Sequence, residues 1–406
     1  MNQDMERIAL LIILLLAPHT KVPGVELVYP FRLADIFIIA TSILYLRIGT
    51  TSNSYTSAGR AMMVCYLLTI MSMVWGMYFL SSLELQTIIE KGKTVGYVQF
   101  AVRKLLLLAV SFLGFQWMMR TRATSNEMML KYWYWGLCIA VVLHALSYLL
   151  SADGVTRHAG VFVEGNHAGS YYLMSFFLMW WSTRLKVQFG CSGMVISFVG
   201  IILTQSTAAA ILIVLLGPLA YMLQINNAKK KTSRILPLLI GLFALILILS
   251  TLGREVATKL IGEELNPSSF SRYDRITSAI SGINMFAANP LFGVGVQGYA
   301  FALPRFADSF LRSFFDWNYR RITNNIYIEL LAEQGAIGLT AMGWVIYRMV
   351  SPTFRYLTEN AILCAAIMTV LLGWFAFPSY TISFQWIGLA LVCRLTLHNP
   401  SPPKSA

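Results

Sequence analysis

Charged residues are scarce in this chain. They make up 12% of its 406 residues, against about 25% in a soluble globular protein. Apolar residues make up 57%, and the mean hydropathy is +0.64. A soluble domain of this length cannot hide so much apolar surface, so lipid is the solvent. Paired cysteines are missing as well. Cys65, Cys138, Cys191, Cys364 and Cys393 fall within or at the ends of apolar runs, with no C-x-x-C spacing. That excludes a disulfide framework or a thiolate metal set and leaves small membrane-buried hydrophobes. No internal repeat and no inverted pair of broken helices is visible, which weakens a transporter reading. Nor is there a D-x-D pair or a dense carboxylate set in the segments between spans, so no metal and no other cofactor is expected.

Acidic residues are few. Lys and Arg number 31 against 18 Asp and Glu, giving a net charge of +13 and a pI near 9.6. The cations sit mostly in short segments between apolar runs, which is how membrane orientation is written, so no nucleic-acid partner is expected. Candidate spans lie near 8–22, 31–47, 61–81, 98–118, 133–151, 168–183, 190–205, 207–224, 235–252, 325–347, 360–378 and 380–396. The first is read as a span, because no clear small-residue cleavage site follows it. The expectation is an all-α integral membrane protein of about 12 transmembrane helices, within a range of about 10–12. With the N-terminus in the cytoplasm, the cytoplasmic segments hold Arg47, Arg60, Arg120, Arg122, Lys131, Arg184, Lys186, the Lys229–Arg234 cluster, Arg348, Arg355, Arg394 and Lys404. The short opposite-side segments hold only Lys21, Arg32, Lys91, Lys93 and Arg157. This bias supports twelve spans with both ends cytoplasmic.

One hydrophilic stretch interrupts the pattern. It divides the chain into about nine spans over 1–252, a loop over 253–324, and about three spans with a short tail over 325–406. Twelve-span topology places the loop outside, although it carries Arg254, Lys259, Arg272, Arg275, Arg305, Arg312, Arg320 and Arg321; long loops cross regardless of charge. Ser271-Arg272-Tyr273-Asp274 has the S-x-x-D form of a helix start. Ile276, Ile280, Ile283 and Ala287 follow at helical spacing, and Asn289-Pro290 ends the helix. Arg272 and Arg275 then fall in its first turn. Free N–H groups and the helix dipole favour an anion there, and two guanidinium forks add bidentate phosphate recognition. The competing reading is an interfacial helix whose arginines meet lipid headgroups. Gly293-Val294-Gly295-Val296-Gln297-Gly298 matches G-x-G-x-x-G, but it follows a helix rather than a strand. A tight turn is the better account than a dinucleotide fingerprint. Residues 303–321 place Phe306, Phe310 and Phe314 four apart among Arg305, Arg312, Trp317, Arg320 and Arg321. They predict an amphipathic helix on the outer membrane surface, whose arginines and aromatics also suit the rim of a groove for a lipid-linked phosphate.

The chain returns into the membrane through Asn324-Asn325-Ile326-Tyr327-Ile328-Glu329-Leu330-Leu331-Ala332-Glu333-Gln334-Gly335. Glu329 and Glu333 share a helix face; carboxylates so near a bilayer are costly unless paired or facing a wet cavity, so they are functional candidates. Gly335 and Gly338 serve helix packing or a bend. A second segment outside gathers Arg157, His158, Glu164, Asn166 and His167 just before a span. It offers a base, a carboxylate and imidazoles; surface hydrogen bonding is the plainer role for the histidines, ahead of metal binding. Arg103 and Lys104 lie about two turns into their span, positioned either to snorkel outward or to face the same cavity.

These residues, in this order, resemble the O-antigen polymerase and ligase superfamily of bacterial polysaccharide assembly. Its G-x-F-x-x-x-N segment is seen at Gly160-Val161-Phe162 to Asn166, and its Thr-x-Ser at Thr204-Gln205-Ser206. Its Arg ahead of a Pro-Leu-x-Gly-x-Gly turn is Arg275 ahead of Pro290 to Gly295. Its His-Asn-x-Tyr-x-Glu-x-Leu-x-Glu-x-Gly-x-x-Gly is matched from Asn325 to Gly338. The resemblance implies a GT-C-like helical glycosyltransferase of the inner membrane. Its donor is an undecaprenyl-diphosphate-linked glycan on the periplasmic side, and the loop arginines hold the diphosphate. Chain-length regulator and flippase proteins are the implied protein partners, beside membrane lipids.

Two positions depart from the pattern. Ser206-Thr207 stands where many relatives have Ser-Arg, and Asn324-Asn325 where many have His-Asn. Asn cannot take a proton at neutral pH, which argues against the ligase branch and favours a polymerase. The expected catalytic residues are Arg275, Glu329, Glu164 and Asn324. Arg272, Arg320, Arg321, Arg157, Asn166, His167 and Asn325 are expected to bind diphosphate or glycan. The alternatives are a ligase that moves glycan to lipid A-core or protein, and a flippase or transporter of lipid-linked sugars.

Overall fold

In lipid no water is available to satisfy backbone groups, so long apolar runs close into helices. The computed structural model describes residues 3–18, 38–39, 56–90, 93–121, 124–150, 162, 165–225, 267–307, 323–375 and 380–397. Among these the helices are α1 (Gln3–Leu16), α2 (Thr56–Ser82), α3 (Tyr97–Arg120), α4 (Asn126–Leu150), α5 (Gly165–Arg184) and α6 (Gly190–Thr204), followed by α7 (Thr207–Ile225), α8 (Pro267–Ala288), α9 (Tyr299–Phe306), α10 (Ile326–Arg355), α11 (Ala361–Gly373) and α12 (Ser383–Leu397). By length and composition α2, α3, α4 and α7 can each cross a membrane, and α1, α6, α11 and α12 are shorter apolar helices. This is a helical membrane protein. The expected span at 235–252 lies outside the described residues, and the one at 31–47 is described only at Ile38 and Ile39. One feature departs from an all-α chain. Thr87–Glu90 (β1) and Lys93–Gly96 (β2) pair as an antiparallel ribbon with Ile88 opposite Val95, leading into α3.

The packing fixes helix direction. Near the N-terminal ends of α3 and α12, Lys104 lies over the ring of Tyr380. At their C-terminal ends, Arg394 donates to the carbonyls of Met118 and Thr124, at 3.1 and 2.7 Å, and to Asn126 Oδ1 at 3.0 Å. The two helices therefore run the same way, as the fourth and twelfth spans of the expected topology do. Arg394, counted in the sequence as an orienting charge, also satisfies carbonyls that α3 leaves open at its negative end.

The part of the 253–324 stretch that is described packs closely on the bundle. α8 runs parallel to α10: Gly282 sits against Ile328, and further on Pro290 and Leu291 sit beside Ala336 and Ile337. α10 is broken at Gly335, whose φ of 64° and ψ of −162° are not helical. The break opens main-chain groups, and the turn after α8 fills them. Val294 N–H donates to the Ala332 carbonyl at 2.8 Å, Ala336 N–H to the Pro290 carbonyl at 2.8 Å, and Ile337 N–H to the Leu291 carbonyl at 3.3 Å. Trp75 of α2 adds an indole N–H to the Gly293 carbonyl at 2.9 Å. A second apolar cluster forms around this turn, with Tyr97, Phe100, Val294, Val296, Phe301 and Ala332 buried together.

One expectation changes here. α8 begins at Pro267, not Ser271; proline suits a first helical position, and the S-x-x-D pattern falls inside the helix. Its isoleucines at 276, 280 and 283 are exposed, while Thr277, Ser278, Ser281 and Gly282 pack inward. Small residues let membrane helices approach closely, and apolar ones are left facing outward. Of the amphipathic helix expected over 303–321, the described residues reach only the end of α9, which runs Tyr299–Phe306 with Ala307 extended; residues 308–322 lie outside the described residues.

Alanine at 335 would have to adopt a left-handed φ, and its Cβ would collide with the Leu291 carbonyl. Gly335→Ala is expected to destabilise the protein by about 1–3 kcal/mol from backbone strain alone. Gly343→Ala, with nothing within 4 Å of the new Cβ, should leave it unchanged. Thermal unfolding in detergent compares the two.

Candidate functional site

The motif residues meet in two places at the same end of the bundle. In the first, Ser206 Oγ donates to Asn166 Oδ1 at 3.1 Å, joining the start of α5 to the link between α6 and α7. Gln205 turns that link with a left-handed φ of 49°. Phe162 packs on Tyr171, Tyr172 and Phe384, and His167 is buried in the first turn of α5. In the second place, the Pro290–Val294 turn docks on the break in α10. α11 lies between the two: Trp374, just after it, accepts from Ile326 N–H at 3.0 Å, and the Leu371 carbonyl accepts from Tyr327 Oη at 2.7 Å.

Asn324 has a left-handed φ of 53°, a conformation Asn tolerates better than most residues. Asn325 is the N-cap of α10. Its Oδ1 accepts from the N–H groups of Tyr327 at 3.0 Å and Ile328 at 3.2 Å. One turn further along, Glu329 and Glu333 are both 3% exposed. Lys104 settles the question its sequence position left open. It points inward, 6% exposed, and donates from Nζ to Glu329 Oε1. The Tyr380 ring lies 4.3 Å from Nζ. Around the pair, Gln334 Nε2 donates to Tyr380 Oη at 2.8 Å, and Thr69 Oγ1 donates to Gln334 Oε1 at 3.1 Å. Among the described residues, the buried Glu329 Oε2 has no hydrogen-bond partner.

Sequence reasoning picked out Glu329 but not Tyr380, Gln334 or Thr69. Single polar residues in apolar runs were the available signal, and only the folded chain brings them together.

Arg275 is described and exposed. It lies two turns before Gly282, so it stands roughly 10 Å further from the α10 break than Gly282 does, at a rise of about 1.5 Å per residue. With α8 starting at Pro267, Arg272 and Arg275 fall in its second and third turns. The helix-terminus part of the anion site is therefore lost. Arg157, Glu164, Arg320 and Arg321 lie outside the described residues. Among the described residues, no three His, Cys, Asp or Glu side chains gather as a metal set.

The cap gives a test of Asn325. Asn325→Ala should cost about 1 kcal/mol of stability, whereas Asn325→Asp, which keeps an acceptor for both N–H groups, should not. Paired melting curves check this, and loss of activity in the Asp variant alone would reveal a further role in binding.

No curated protein matches this chain. Residues 192–343 match the family model described as O-Antigen ligase. The matched segment runs from α6 into α10, and so holds the Thr204–Ser206 link, Arg275, the glycine turn and the helix break that receives it. Over that segment, less than half of its length, the chain is similar to this family, and the match does not divide a polymerase from a ligase.

Proposed function

We propose that the protein is a polysaccharide polymerase. It moves a growing glycan from undecaprenyl diphosphate to a lipid-linked repeat unit at the periplasmic face of the bacterial inner membrane. The observation that carries the reading is the bare Oε2 of Glu329. It lies one turn below the Asn325 cap, at the end of the bundle where the motif residues meet. An acceptor hydroxyl needs such a carboxylate. As its oxygen bonds to the anomeric carbon, its proton passes to Glu329. The bond from that carbon to the diphosphate oxygen breaks, and the electron pair leaves with the diphosphate. Attack opposite the leaving group inverts the anomeric centre.

The charge that develops is on the departing diphosphate, so preorganised cations supply most of the rate effect. Arg275 is the first of these, with Arg272, Arg320, Arg321 and Arg157 in support. Asn166, His167, Asn324 and Asn325 are the candidates for binding sugar hydroxyls, and Glu164 is the second candidate base. The reading includes a GT-C-like bundle of about twelve spans, an external 253–324 loop and chemistry without a metal. Chain-length regulator and flippase proteins would work beside it. Asn324, where a ligase would carry histidine, favours the polymerase. The second reading, a ligase, has the description of the matched family in its favour.

Reconstituted protein given a lipid-linked repeat unit should yield longer glycans, and yield them in EDTA. Movement of the lipid across the bilayer without new glycosidic bonds would make it a flippase, and capped glycan on lipid A-core would make it a ligase. Arg275→Ala should lower the rate by about 10²–10³-fold, the usual loss for one charge-stabilising donor, at a normal protein level in the membrane.

A further inference from the structure

Glu329 is gripped on one side only. Its Oε1 holds Lys104, while Oε2, in a side chain 3% exposed, has no partner among the described residues. A strut between α3 and α10 explains the first oxygen but not the second, since a bare carboxylate oxygen in a dry interior is costly. Lys104 is in turn fixed from behind. The Tyr380 ring of the α12 end covers its ammonium at 4.3 Å, Gln334 of α10 holds Tyr380 Oη at 2.8 Å, and Thr69 of α2 holds Gln334 at 3.1 Å. Residues on four parts of the bundle therefore converge on the orientation of one carboxylate.

The geometry points to Lys104 as a positioning residue that aims Glu329 Oε2 at the acceptor hydroxyl. The inference rests on the glycan-transfer reading above. Lys104 touches neither sugar nor diphosphate. It keeps its proton and its place on Oε1 while the hydroxyl proton moves to Oε2, the new bond to the anomeric carbon forms, and the diphosphate departs with its electron pair.

The test uses the full-length protein in liposomes with a lipid-linked repeat unit, comparing Lys104→Met, Lys104→Arg, Glu329→Gln and the Lys104→Met/Glu329→Gln double variant. Lys104→Met should lose about 10²-fold in kcat, the scale of a reacting group displaced by an ångström, with KM for the donor unchanged. Lys104→Arg should recover most of the loss. The double variant should be no slower than Glu329→Gln alone, because the two residues act as one unit.

Losses that multiply in the double variant would overturn the proposal in favour of a strut. A normal kcat for Lys104→Met beside an inactive Glu329→Gln would overturn it while leaving Glu329 as the base. A fully active Glu329→Gln would remove the base assignment and this inference together, and a wild-type protein that extends no glycan would remove the glycan-transfer reading itself. If Lys104→Met does not reach the membrane, Lys104→Gln, a polar but shorter and uncharged side chain that gives up the grip on Oε1, is read in its place. Reduced kcat at normal protein level is then the supporting result, and kcat equal to wild type the overturning one.

Discussion

An interrupted helix inside a bilayer has to find partners for the backbone groups that the interruption frees. In α10 the interruption is Gly335, and the partners come from a turn some forty residues earlier in the chain, which bonds to Ala332, Ala336 and Ile337 through its own main chain. Water cannot substitute in a dry interior, where each unsatisfied group costs several kcal/mol. The turn and the break are therefore one structure, and neither is stable alone. The position of α8, the second apolar cluster and the close approach of Gly295 to Gly76 in α2 follow from this docking.

The same docking sets the site. The residues before the break form a short helical segment capped by Asn325, and Glu329 lies one turn along it. Because Ala332 is held by Val294 and the Glu333 carbonyl by Ser72, the segment cannot rotate about its axis. Glu329 is thereby kept against Lys104. Charges buried in low dielectric are tolerated only when paired with good geometry, and the surrounding aromatic and amide groups supply that geometry here.

Much of this was legible in the sequence. Apolar runs located the helices, because in lipid the hydrophobic stretch and the helix coincide. Glu329 stood out because an isolated carboxylate at a membrane edge needs a reason, and the bend at Gly335 was among the readings of its glycine. What was not legible depended on partners distant in the chain. Lys104 pairs with a residue 225 positions away, and nothing local told it to turn inward. The α8 spacing marked a helix but not which face packs. Ile276, Ile280 and Ile283 would face a core in water, but beside lipid the Ser, Thr and Gly face is the one that packs. The ribbon at Thr87–Gly96 was passed over because its few residues are lost between two long spans.

The outward isoleucines also bear on how this region can be handled as a fragment. Cut from the chain, the 267–307 segment would lose the carbonyl and amide groups of α10 that its turn bonds, and would present Ile276, Ile280, Ile283 and Leu291 to water. It has no fold to keep outside its parent. Antibodies raised against the soluble peptide would be selected on shapes the intact protein never adopts.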